Sequence, residues 1–82
     1  MINMEIKKLM ELVIALTCEI TEINIEPSLR EITDKSKNAI DHRLNAAVID
    51  MILVNSNFFE RVGLSDEGFH YRRTENLSQV VK

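Results

Sequence analysis

His42, His70 and Cys18 are the only imidazole or thiol side chains in this 82-residue chain. No two of them stand at a metal-ligand spacing within one element. Cys18 has no cationic neighbour in its local sequence, so it reads as a small hydrophobe, not a thiolate nucleophile. Sequence spacing brings no serine, histidine and carboxylate together, and two glycines cannot build a phosphate-cradling loop. The expectation is a non-enzymatic chain with no catalytic residue, cofactor or metal. Recognition-type side chains are densest at Phe69, Tyr71, Arg72 and Arg73. Aromatics beside arginines serve single-strand nucleic-acid binders, and the same residue types are favoured at protein interfaces. Asp66, Glu67 and Glu75 flank the cluster, which favours a protein as the partner docked there.

A second local pattern is Asp41-His42-Arg43-Leu44-Asn45-Ala46-Ala47, with leucine two residues after the histidine and small residues four and five after it. Over about six residues this resembles histidine phosphotransfer domains. In that family the phosphorylated histidine sits on a four-helix bundle and is followed by leucine, lysine, glycine and a small residue. The resemblance implies a phosphoryl-accepting His42 on a helix. Asn45 and Ala46 stand where the family carries lysine and glycine, which removes the neutralising charge and the open approach to the imidazole.

Charge narrows the partners further. The net charge is −3; residues 1–26 carry two lysines against five glutamates, and the remainder is balanced. No segment has the basic excess that phosphate-backbone binding needs, so nucleic acid is the secondary reading, through residues 69–73. One cysteine fits a reducing compartment, and the expected location is cytoplasmic. Lys7-Lys8 ahead of Leu9–Ile20, with Cys18 late in the stretch, has the outline of a lipoprotein signal. Glu11 inside it, and a run about half the roughly 20 residues a membrane span needs, make an amphipathic helix the expectation.

The elements that would position these residues read as helices. Ile2, Ile6, Leu9, Val13, Leu16, Ile20 and Ile23 are spaced 4-3-4-3-4-3, the seam of helices packed at shallow angles. Pro27 ends that helix, and Ser28-Leu29-Arg30-Glu31 reads as a capping box opening the next. A second seam, Ile40, Leu44, Ala47, Met51, Val54 and Phe58, continues toward Gly63 as a C-terminal cap. The polar stretch 33–38 leaves two alternatives, one helix of about 34 residues or a break near residue 36 with helices at 29–35 and 37–62. The link at Pro27 lacks the glycine-bearing turn of a helix-turn-helix.

The expected fold is all-α: an antiparallel hairpin of helices at about 3–25 and 29–62, forming an oligomerisation domain over 1–63, with an irregular tail over 64–82. Leu77–Val81 reads as weakly apolar, and the tail as disorder, a short strand or a docking arm. Two helices cannot cover stripes this broad, so a homodimeric four-helix bundle follows, with Ile6, Leu9, Val13, Leu16, Ile20, Leu44, Met51 and Phe58 at the interface. The expected function is regulatory or adaptor binding to another protein, a physical profile shared by secretion chaperones, phage-encoded inhibitors and connectors of bacterial signalling.

Overall fold

A computed structural model describes residues 2–76, with side chains from Ile6 onward; the seam position Ile2 and the segment Leu77–Val81 therefore lie outside the described side chains. The order is α1 (Ile2–Ile23), α2 (Leu29–Ala39), α3 (Ala46–Ser56), β1 (Phe59–Ser65) and β2 (Gly68–Arg73). The all-α hairpin and its four-helix bundle are thus corrected. Three helices carry an antiparallel β-hairpin, and β1 spans the expected boundary between helical domain and tail.

Helix α1 forms where the 4-3 seam places it, and Val13 and Ile20 lie in the core. Thr17 and Thr21 share the buried face, each hydroxyl donating to the carbonyl four residues back, at 2.8 and 2.9 Å. Such local bonds let hydroxyls enter a core without an unpaired donor. Pro27 stops the helix, and Ser28 Oγ accepts the Glu31 amide at 3.1 Å to open α2.

The break in the second helical region falls after Ala39, not near residue 36. Asp41 accepts the Arg43 amide at 2.9 Å, and Asn45 caps α3 by accepting the Val48 amide at 3.0 Å. Asx turns and N-caps of this kind compete with a continuing helix. The far end differs too. Asn57, at φ 66°, is the left-handed cap of α3, a conformation that asparagine tolerates. Gly63 lies within β1, next to a bulge at Val62 created by the register shift between Arg61 and Gly63.

Gly68 opens β2 at φ +94°, and a Cβ there would stand 3.3 Å from Leu29 Cβ. Glycine is required by both the backbone and the close approach. The outer edge of β2 is partly covered by the α1–α2 link: the Tyr71 amide donates to the Pro27 carbonyl at 3.0 Å, and Ser28 bridges His70. The hairpin is therefore stitched to the helices, with Phe59 and Tyr71 completing a core of Val13, Ile20, Ile32, Leu44, Ile49, Ile52 and Leu53.

Helix α3 packs the opposite face from the one its seam indicates. Ile49, Ile52 and Leu53 are buried, whereas Ala47, Met51 and Val54 face outward. Where a helix is apolar all round, periodicity does not choose the inner face. The bulkier aliphatics bury more surface and turn inward.

Candidate functional site

The cluster at 69–73 is built into the fold. Alternation along β2 sends Tyr71 and Arg73 to one face and Arg72 to the other. Tyr71 is fully buried, and its hydroxyl donates to the Asp50 carboxylate. Arg61, across the ladder from Tyr71, donates to the same carboxylate through Nε at 3.1 Å and Nη2 at 2.5 Å. The guanidinium also lies 4.5 Å over the Phe69 ring. The bonds from Arg61, then from Tyr71, hold the Asp50 carboxyl below its ordinary range, and burial pushes the Tyr71 phenol up, reinforced by the Asp50 bond.

Arg73 reaches α1, donating to the Cys18 carbonyl at 2.6 Å and to Thr21 Oγ1 at 2.8 Å. Arg72 pairs with Glu60 at 3.0 Å on the solvent side. Of the four residues assigned to partner binding, Phe69 and Arg73 are half-buried, Tyr71 is buried and Arg72 alone is exposed. Tyr71 fastens the hairpin to α3 and Arg73 to α1, whereas Arg72 bonds only within the hairpin.

His70 Nδ1 lies 2.8 Å from the Glu26 carbonyl, and its Nε2 lies 2.8 Å from Ser65 Oγ. A carbonyl only accepts, so Nδ1 carries the proton and Nε2 of the neutral ring accepts from Ser65. Ser65 Oγ also accepts the Glu67 amide at 3.1 Å, while Ser28 Oγ donates to the Glu67 carboxylate at 3.0 Å. This serine–histidine contact crosses the hairpin and was invisible to sequence spacing. Its bonds tie the turn to the α1–α2 link.

His42 lies in the turn between α2 and α3, exposed, and not on a helix of a four-helix bundle. The phosphotransfer resemblance loses its structural setting there. Its neighbour Asp41 is bound by Arg43, which holds that carboxyl below its ordinary range. Cys18 is half-buried, and burial raises its thiol pKa. Among the described residues, no three His, Cys, Asp or Glu side chains gather to hold a metal ion. None of the described helices is long and apolar enough to cross a membrane.

The expected interface residues divide. Val13, Ile20 and Leu44 are consumed by the chain's own core, and Leu9, Leu16 and Phe58 pack half-buried against it. Ile6 and Met51 remain outside, 50% and 55% exposed. Met51 shares the outer face of α3 with Ala47 and with Val54, which is 38% exposed. Two apolar recesses flank that helix. One of about 370 Å³ lies between Val54 and the hairpin residues Phe59 and Arg61, closed by Thr74 and Asn76. The other, of about 290 Å³, lies between Leu9 of α1 and Leu44 and Val48, with Asp41 and Arg43 at its rim. No protein-family model matches the chain, and no curated protein or solved structure shows significant similarity to it.

Proposed function

We propose that this chain is a small, non-enzymatic regulatory or adaptor protein of the cytoplasm that acts through protein–protein binding, with the outer face of α3 as its contact surface. The observation that carries this reading is an exposed stripe, Ala47, Met51 and Val54, on a helix that contains no lysine, arginine or histidine. Isolated exposed apolar residues are ordinary, but a stripe flanked by two apolar recesses is a feature of interaction sites.

The element order sharpens the choice between partners. By fold-level analogy, α2, the turn at 40–45 and α3 follow a helix-turn-helix order, with the β-hairpin after α3 as a wing. In DNA readers of that order the second helix enters the major groove and basic residues meet phosphates. Here α3 carries Asp50 as its only charge, and the hairpin turn carries Asp66 and Glu67. Arg61 and Arg73 are engaged inside the molecule. A helix and wing of this chemistry lack the basic excess that a phosphate backbone requires and suit an apolar protein surface.

Two measurements test the reading together. Labelled duplex and single-stranded DNA should show no binding at about 50 mM salt, where phosphate contacts are strong. A photo-crosslinking residue at Met51 should form protein adducts in cells, and one at Glu22, on the exposed side of α1, should not. Salt-sensitive DNA binding lost on Arg72→Ala, or nucleic-acid adducts at Met51, would overturn it.

A further inference from the structure

We infer that this chain closes the recess beside Val54 with its own segment 77–82, Leu77 and Val80 seating against Val54 and Phe59. The inference goes beyond the protein-binding reading. It concerns only the Val54 end of α3, and it leaves Ala47, Met51 and the recess beside Leu9 and Val48 to a partner.

The fold delivers the chain to this recess. Beyond β2, the Thr74 amide donates to the Phe58 carbonyl at 2.9 Å, and Thr74 Oγ1 donates to the Asn57 carbonyl at 2.6 Å. Asn76 Nδ2 donates to that same carbonyl at 3.1 Å. Thr74 and Asn76 both line the recess, opposite Val54. Leu77 therefore follows directly, within about 3.8 Å of backbone, on a residue pinned at the rim. A segment tethered this closely docks at an effective concentration in the millimolar range, which a separate molecule rarely matches.

The residue pattern of the segment suits the recess. Glu75 and Asn76 have helical backbone. Continued at about 100° per residue, that turn places Asn76, Val80, Leu77 and Val81 on one arc of about 140°. Ser78, Lys82, Glu75 and Gln79 fill the remainder of the circle. The arc that carries Asn76 to the recess is thus the apolar one. No residue from Leu77 to Val81 is charged, so no ion loses its water on docking. The recess, about 370 Å³, has room for a few aliphatic side chains. Val54, 38% exposed beside the buried Phe59, is the apolar surface that they would remove from water.

Thiol alkylation of the full chain in dilute solution tests the contact. In a chain carrying Cys18→Ala, Val54→Cys places a thiol at the recess. A separate Ala47→Cys chain places one about two turns away on the same face. N-ethylmaleimide should modify position 54 about tenfold faster once residues 77–82 are removed, a factor equal to roughly 1.4 kcal/mol of docking. Leu77→Asp with Val80→Asp in the full-length chain should have the same effect, and the rate at position 47 should not change. Equal rates at 54 with and without the segment, or a parallel rise at 47 and 54, would overturn the inference. Protection at 54 that grows with protein concentration would overturn it in favour of a second copy. Protection that appears only in cell extract would overturn it in favour of another protein. Each of these failures leaves the protein-binding reading to its own cross-linking test at Met51.

Discussion

Removing a single oxygen tests the fastening of the hairpin most sharply. Tyr71 is 0% exposed, and its hydroxyl donates to the Asp50 carboxylate. Tyr71→Phe keeps the ring and deletes a hydrogen bond to a charged group, typically worth about 1.5–3 kcal/mol. Asp50 keeps both bonds from Arg61, so no carboxylate is stranded and the lower end, about 1.5–2 kcal/mol, applies. For a domain of this size that lowers Tm by roughly 6–16 °C. The pH dependence adds a signature. The folded state raises the Tyr71 pKa, so above about pH 10 the unfolded chain ionises first and wild-type stability falls. The phenylalanine variant lacks that alkaline loss. At the acid end Asp50 is depressed in the folded state, so its contribution is present above about pH 4 and is lost as pH falls through the folded pKa. Part of that contribution disappears with Tyr71. Urea titrations at acid, neutral and alkaline pH measure all of this. A variant as stable as wild type at pH 7, or with the same alkaline loss, would refute the reasoning.

Three further outcomes follow from the same geometry. Arg73→Ala should cost about 1–3 kcal/mol, because it removes two bonds that join β2 to α1, while Arg72→Ala should stay within about 0.5 kcal/mol because its partner is exposed; thermal melts compare the two. Gly68→Ala should destabilise by more than about 1 kcal/mol through its positive φ and the nearby Leu29, whereas Gly63→Ala meets nothing within 4 Å and should be milder. A chain ending at Leu64 should lose cooperative unfolding, since Tyr71 belongs to the core; a sharp melt from that truncation would show the hairpin to be dispensable.

The legible parts of this fold were those set by local chemistry. The α1 helix, the stop at Pro27 and the Ser28 cap each follow from nearby residues and appear as expected, but of the α1 seam only Val13 and Ile20 are buried, while Ile6 and Ile23 stay exposed. One half of the capping box differs: the Glu31 carboxylate accepts from the Asn24 side chain, Nδ2, at 3.0 Å, where a capping box has it reach back to the Ser28 backbone N–H. The hairpin was hidden because Phe58 and Val62 extend the helical spacing and because asparagine, not glycine, makes the left-handed turn out of α3. The alternation Phe69, Tyr71, Arg73 was visible, but its destination depends on Asp50 and Thr21, 21 and 52 residues away in sequence. Tyr71 and Arg73, which look available to a partner in the sequence, are therefore internal fasteners, and Arg72 alone of the cluster stays exposed. The outward face of α3 was misread for a different reason: every side of that helix is apolar, and tertiary packing alone decides which side stays in solvent.

Methionine oxidation gives the most direct test of the α3 surface. Met51 and Met10 are 55% and 36% exposed in the single chain, so in dilute solution Met51 should be the faster of the two to be converted to the sulfoxide by peroxide. If the outer face of α3 is a contact surface for another protein, oxidation at Met51 relative to Met10 should be slower in concentrated cell extract than in dilute buffer, as read by peptide mass spectrometry. Equal Met51-to-Met10 ratios in buffer and extract would contradict the account.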